Sequence, residues 1–404
     1  MPLTELPNEL MLYLCCFTPN RSNASLARTS KTLNRIVTPL LYEKLDLQKM
    51  SQAWHCMNTL QSSQRNLPFL VKSMTLPKVN WWLVSSDIRE SFHQLFVRCV
   101  LRMQNLQEFN CPVPAQMLPD MWIALCGNKS LRSIRVSLPS VDELEGVDLS
   151  ALPHTNLTLP HLHTFEFTQV DMKPHISLHP IYEAFISSLI KRHAHQLRII
   201  HVETESNSPD YLTRLLPRGE DALPLLDDIT TKSSFLTSKM LAQFRSVRSI
   251  TLFTPSTSSP LPPFSRYCLP HLQTFAGPSD VLKSLLDPRS KRPIHTLHLN
   301  GAFFQDSPPQ GLSALREIEW TEFSEQITSL PNSYTSVRHL SFYCQSIDFK
   351  ILPEIAPYIC TLESLTICLS SEPRNVSNVQ IITSSKQCLT TSGKCNCTIF
   401  TEIL

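Results

Sequence analysis

Two pairs of histidines and one pair of cysteines have a spacing that could hold a metal ion. His161 and His163, His193 and His195, and Cys395 and Cys397 each stand at i, i+2. Imidazole and thiolate bind zinc, but a closed site needs further ligands, and Cys395 and Cys397 have no second cysteine pair at zinc-site spacing. The first histidine pair flanks a short apolar phrase. The second ends a helical stretch, where imidazoles suit the negative helix end. Both pairs read as surface or capping groups. No GxxxxGK[ST], GxGxxG, GxSxG or HExxH pattern occurs. The expectation is a binding protein, not an enzyme, with no metal and no cofactor. A dispersed active site is the enzymatic alternative.

Composition points the same way. The 404 residues are 42% hydrophobic and 17% charged, which is a globular balance with ample core. Net charge is +2, from 36 basic and 34 acidic side chains, so no strong field favours nucleic acid or an anionic membrane. No apolar run reaches the length of a membrane span. No basic stretch followed by an apolar one opens the chain, so a cytoplasmic or nuclear compartment is expected. The sequons at Asn20, Asn23, Asn128, Asn156, Asn375 and Asn396 should then stay unmodified, and the 13 cysteines should be reduced core thiols. The basic cluster Arg289-Ser290-Lys291-Arg292 is too short to decide the compartment. Only 7 glycines stand against 31 prolines, which argues for short elements stopped by proline and against Gly-rich phosphate loops.

The elements begin with short amphipathic helices. Pro7 suits a first helical turn and Glu9 its positive end. Leu6, Leu10, Met11, Leu14 and Phe17 lie on or near one face. Asn20 to Asn23 form a polar break with Asn23 as a cap, and Ser30 caps the next helix. That helix carries Leu33, Ile36, Val37, Leu40 and Leu41, and Pro39 should end or kink it near Thr38. So few residues have too little interior for this apolar surface. Either the helices pack on the body that follows, or they expose a face to a partner.

Leu6-Pro7-Asn8-Glu9-Leu10, Ser30-Lys31-Thr32-Leu33 and Pro39-Leu40-Leu41-Tyr42 resemble the F-box, most closely those of large fungal F-box families. The resemblance covers residues 3–47. Cys15-Cys16 and the polar loop from Thr18 to Asn23 depart from the pattern. The resemblance implies binding to a Skp-type adaptor, and through it to a cullin–RING ubiquitin ligase. It makes Leu6, Pro7, Leu10, Leu26, Leu33 and Leu41 the contact or supporting positions.

From Val71 onward one phrase recurs: apolar, two variable, apolar, one variable, apolar. Clear instances are Leu106-Phe109-Cys111, Leu131-Ile134-Val136, Leu162-Phe165-Phe167, Leu197-Ile200-Val202, Val247-Ile250-Leu252 and Leu272-Phe275-Gly277. Ile294-Leu297-Leu299, Leu315-Ile318-Trp320, Val337-Leu340-Phe342 and Leu362-Leu365-Ile367 continue the series. Val71-Met74-Leu76 and Leu226-Ile229-Thr231 are weaker copies, and Leu41 to Leu47 could supply a first strand. From 226 to 362 the phrases start 21, 25, 22, 21, 22 and 25 residues apart, by subtraction. Each phrase is too brief for a helix and fits a strand.

Helical stretches lie between phrases. One runs from a Ser86 cap through Ile88, Phe92, Leu95, Phe96, Cys99, Val100 and Met103. Another opens at Pro180 and carries Ile181, Phe185, Ile186, Leu189 and Ile190. A third is capped by Ser279 and ends at Asp287-Pro288. The alternation resembles the irregular leucine-rich repeats often paired with an F-box, without their asparagine ladder. The expected fold is therefore α/β: a small all-α module at 3–47 and a leucine-rich-repeat-like solenoid at 48–369. Ser256 to Pro263 is an exposed loop. Residues 370–404, rich in Ser, Thr, Asn and Cys, form an atypical tail expected to be poorly packed or disordered.

Strand alternation points the apolar phrase residues inward and the variable ones to the concave sheet. That face tilts acidic: Glu108, Glu166, Glu203, Asp228, Glu317 and Glu319 stand against Arg135, joined by His201, His298, His339, Phe253 and Tyr343. Glu166, Glu203, Phe253, His298, Glu317, Glu319 and Tyr343 are the candidate substrate contacts, suited to a neutral or basic protein segment. The reading is a substrate-recognition subunit of an SCF-type ubiquitin ligase. A repeat scaffold without ligase association is the alternative.

Overall fold

A computed structural model describes residues 6–63, 66–78, 85–112, 119–137, 149, 152, 158–169, 180–204, 211–219, 222–232, 236, 238–253, 268–277, 285, 292–299, 337–344, 363–370, 376–381 and 399–401. The chain is an α/β protein and divides into two compact units, residues 1–193 and 194–404. No helix among the described residues is long and apolar enough to cross a membrane.

The first unit opens with α1 (Asn8–Cys16), α2 (Asn20–Ala27) and α3 (Lys31–Glu43). Pro7 sits at the N-cap of α1, one residue before the expected place, and its carbonyl accepts from the Met11 N–H at 3.0 Å. Ser30 caps α3 as expected, its hydroxyl accepting from the Leu33 N–H at 3.1 Å. Asn23 does not cap. It lies buried inside α2, whose N-cap is Pro19. Nor does Pro39 end α3, which runs on to Glu43. Proline removes only the bond to the carbonyl of Arg35; both residues are exposed, so water can take its place.

The chain then passes through β1 (Lys44–Asp46), α4 (Met50–Ser62), β2 (Ser73–Thr75), α5 (Ser86–Arg102), β3 (Glu108–Cys111), α6 (Pro119–Cys126), β4 (Ser133–Ser137), β5 (Thr164–Gln169) and α7 (Pro180–His193). Strands β1 to β5 pair in chain order, all parallel. Ser85, not Ser86, occupies the N-cap of α5, while Pro180 opens α7 as expected. On the helical side Trp54, Phe92, Phe96 and Phe109 stack in series, with ring centroids 5.7, 6.1 and 5.9 Å apart. Arg102 donates to the Gln61 carbonyl at 2.7 Å and so closes the C-terminal end of α4 with a cation.

The second unit contains β6 (Ile199–Thr204), α8 (Tyr211–Leu215), β7 (Asp228–Lys232), α9 (Ser238–Leu241), β8 (Ser249–Phe253), β9 (Thr274–Gly277), β10 (Thr296–Leu299), β11 (His339–Cys344) and β12 (Ser364–Ser370). Strands β6 to β12 are again parallel and in chain order. Antiparallel β13 (Val376–Ile381) and β14 (Ile399–Thr401) follow. The change of direction falls where the phrase stops recurring.

The phrase fixes the sheet. Its middle apolar residues stand opposite one another: Leu45, Met74, Phe109, Ile134 and Phe165 in the first unit. Ile200, Ile229, Ile250, Phe275, Leu297, Leu340 and Leu365 do so in the second. From Val71 to Leu299 every described apolar phrase residue is buried. A one-residue slip would turn this whole column to solvent. The phrase at Leu315, the helix expected after Ser279 (apart from the buried Leu285) and the loop Ser256 to Pro263 lie outside the described residues.

Two backbone devices start the strands. A tight turn precedes several phrases: the N–H of Leu162, Leu226 and Leu272 donates to the carbonyl of Leu159, Leu223 and Leu269 at 3.1, 3.3 and 3.2 Å. Pro160, Pro224 and Pro270 occupy the second turn position, which suits a fixed φ. Next, before most of the parallel strands, the carbonyl of the preceding residue accepts two N–H groups from the following phrase. Arg198 O takes Asp227 and Asp228, Asp227 O takes Arg248 and Ser249, and Arg248 O takes Gln273 and Thr274, all between 2.8 and 3.0 Å. Lys72, Gln107 and Arg132 do the same in the first unit.

Candidate functional site

Helix α1 presents more apolar surface than the first unit covers. Met11 and Cys15 face inward and are buried. Leu10, Tyr13, Leu14 and Phe17 occupy the adjoining arc at i, i+3, i+4 and i+7, and Leu10 is 51%, Tyr13 63% and Phe17 72% exposed. The rings of Tyr13 and Phe17 meet edge to face, centroids 4.9 Å apart. Burying such rings against a partner would contribute about 1.5–3 kcal/mol each, which makes this solvent-facing cluster the candidate contact surface.

The expected contact positions separate by burial. Pro7 and Leu10 are exposed, Leu6, Leu26 and Leu41 are half-buried, and Leu33 is buried and supports the others from within. Tyr13, outside the expected contact set, extends the arc through its i+3 relation to Leu10. Of the two cysteines that depart from the F-box-like pattern, Cys15 falls on the inner, packed side and Cys16 is exposed.

The outward face of the strands is less acidic than its composition suggests. Glu166 is engaged by Arg135 in a two-pronged ion pair at 2.6 and 2.9 Å. Glu108 accepts from the Ser73 hydroxyl at 2.9 Å, and Glu203 lies 3.8 Å from His201. His298 pairs with the hydroxyl of Ser341. Burial, and then the nearby charge of His339, hold the His298 imidazole below the usual histidine range. Phe253 ends β8 and Tyr343 lies within β11. Glu317 and Glu319 lie outside the described residues. Among the expected substrate contacts, Glu166 thus lies on β5 of the first unit beside Arg135, and Glu203 lies on β6 of the second unit beside His201.

The histidine pairs do not converge. His163 contacts the Thr164 hydroxyl at 3.0 Å, His161 is exposed, His193 is buried and His195 exposed. No group of three or more possible metal ligands occurs among the described residues. Cys395 and Cys397 lie outside them. His93 was missed in the sequence: on α5 it meets Asp120 of α6 at 2.7 Å. Burial alone would raise the Asp120 carboxyl, but the hydrogen bond and charge of His93 and the Met121 N–H hold it below the usual range. Burial pushes the thiols of Cys56 up to about 11 and of Cys99 and Cys126 up to about 12, so they stay protonated and inert at neutral pH. Arg292, read in the sequence as part of a basic cluster, is buried and donates to the carbonyls of Cys268 and Leu285 at 3.0 and 2.7 Å.

A concavity lies where the strands of residues 194–404 begin. It encloses about 590 Å³ and is lined by Arg198, Asp227, Arg248, His271, Leu225 and Gln273, with Ser246 and two prolines. Its charged residues are the second residue of successive phrases, a position whose charge was legible in the sequence but was not singled out.

No protein-family model and no curated protein matches the chain.

Proposed function

We propose that the chain is the substrate-recognition subunit of an SCF-type ubiquitin ligase. Its N-terminal helices act as an F-box that binds a Skp-type adaptor, and its in-register strands act as a leucine-rich-repeat-like solenoid that carries a protein substrate. The observation that carries this reading is the uncovered apolar arc of Leu10, Tyr13, Leu14 and Phe17 on a helix whose other side is packed. Three short helices followed by a recurrent strand phrase suit a protein with one docking end and one long binding surface. Such a subunit performs no chemistry. It raises the effective concentration of bound substrate beside an enzyme held by other subunits.

Pull-down of the full chain with a Skp-type adaptor tests this. Leu10→Ser with Phe17→Ser should abolish capture while far-ultraviolet circular dichroism stays unchanged. Capture that survives in the folded double variant removes the F-box reading. Absence of both adaptor and cullin from the purified wild-type chain leaves the repeat scaffold in its place.

A further inference from the structure

We propose that the concavity at the start of strands β6 to β9 is a binding site for a carboxylate carried on an apolar stem. Neighbouring parallel strands lie about 4.8 Å apart. Arg198, Asp227, Arg248 and Gln273 hold equivalent places before β6, β7, β8 and β9, so the two arginines are rooted about 10 Å apart across Asp227. The backbone here is fully used, because each carbonyl of the row already accepts two N–H groups. Recognition therefore falls to side chains.

Those side chains have a definite balance. Arg248 lies 3.7 Å from Asp227; Arg248 is exposed and Asp227 half-buried. Arg198 is exposed and makes no ion pair among the described residues. Two guanidinium groups and one carboxylate leave one uncompensated positive charge, which matches a monoanion. A guanidinium fork fits the two oxygens of a carboxylate. Leu225, 48% exposed, and the neighbouring Pro224 and Pro293 supply an apolar wall on the same concavity. Ser246 is structural here: its hydroxyl lies 2.9 Å from the Leu226 carbonyl and 3.2 Å from that of Leu223, fixing the turn that carries Pro224 and Leu225. A mixed site of this kind selects an amphiphilic anion over an inorganic one.

The carboxylate could belong to a free organic acid or to the C-terminus of an apolar peptide. Titration calorimetry on the full chain separates these sources with octanoate, with a short apolar peptide bearing a free C-terminal carboxylate, and with the same peptide amidated. Octanoate, the free peptide or both should bind, and octylamine and the amidated peptide should not. Arg198→Gln should weaken binding at least about tenfold. Asp227→Asn should tighten it about threefold, since it removes a repelling charge and releases Arg248. Hydrogen exchange at the Asp227 and Arg248 amides checks that the row persists in each variant. The proposal is overturned if neither carboxylate binds, if octylamine binds equally, or if Arg198→Gln in an intact row leaves affinity unchanged. It is equally overturned if Asp227→Asn weakens binding. No adaptor is needed, so its failure leaves the ligase reading untouched.

Discussion

The Asn23 amide donates to the Cys15 carbonyl at 2.9 Å and to the Thr18 carbonyl at 3.1 Å, binding the end of one helix from within the next. Helix ends leave carbonyls short of partners, and here a buried side chain adds a second donor to the Cys15 carbonyl, which also accepts the Thr18 N–H at 3.2 Å. Asn23→Ala should cost about 1–3 kcal/mol, because the part-buried Thr18 carbonyl loses its side-chain donor and the Cys15 carbonyl keeps only the Thr18 N–H at 3.2 Å. Asn23→Asp should cost more, since it sets an anion against them. Urea denaturation of the three proteins gives the order; an aspartate variant as stable as wild type would contradict it.

Exposed and buried apolar residues of the N-terminal helices should respond in opposite ways. Phe17→Ser should change stability by no more than about 0.5 kcal/mol. Leu33→Ala should cost about 2–5 kcal/mol, through lost burial and a cavity. Thermal melts of the two variants distinguish a contact residue from a supporting one, whatever the partner is.

Thr231 occupies the last apolar slot of its phrase and is 0% exposed. Its hydroxyl oxygen has no hydrogen-bond partner among the described residues. Thr231→Val keeps the shape and removes a buried unsatisfied group, so it should raise stability by about 1 kcal/mol. A lower denaturation midpoint for the valine variant would show that the hydroxyl is satisfied in solution.

Gly277 fills the corresponding slot two strands further on. A Cβ there would stand 2.9 Å from the tip of the Phe275 ring and 3.1 Å from the Leu252 Cβ. The ring takes the space that an aliphatic residue fills elsewhere. Gly277→Val should therefore lose about 1–3 kcal/mol through overpacking. Phe275→Leu in the same background should restore part of it, measured as a double-mutant cycle.

Stability should depend on pH through His298. Its folded imidazole titrates below the ordinary value because burial disfavours the charged form and His339 adds to the effect. The unfolded chain then binds the proton first as pH falls. The contribution is complete above the ordinary histidine value of about 6.5 and is lost as pH falls through the folded value. Denaturation midpoints at pH 7.5 and 5.5 should differ less in His298→Gln than in wild type.

Much of the strand framework was legible because each phrase places three apolar residues at i, i+3 and i+5, which no exposed element needs. Leu106, Phe109 and Cys111 show this directly, and all three are buried. Helix ends were less legible. Asn23 carries a side chain suited to a cap, yet tertiary contacts bury it mid-helix, and Pro39 is tolerated where its missing bond faces water. On the sheet face, composition alone counted Glu166 as a free charge. Its partner Arg135 sits one strand away and 31 residues earlier, a relation visible only once the strands are in register.

The doubly accepting carbonyls that precede the strands separate register from length. Each new strand is set by two short bonds at its first residues, whatever chain intervenes. Between Asp227 and Arg248 that chain is short, and between Lys72 and Gln107 it is longer, yet the two junctions have the same bonds. The interval between phrases is thus free to lengthen, shorten or take up a new segment while the next strand still docks in the same place. A lineage of such chains could diversify its loops unit by unit at almost no cost to folding.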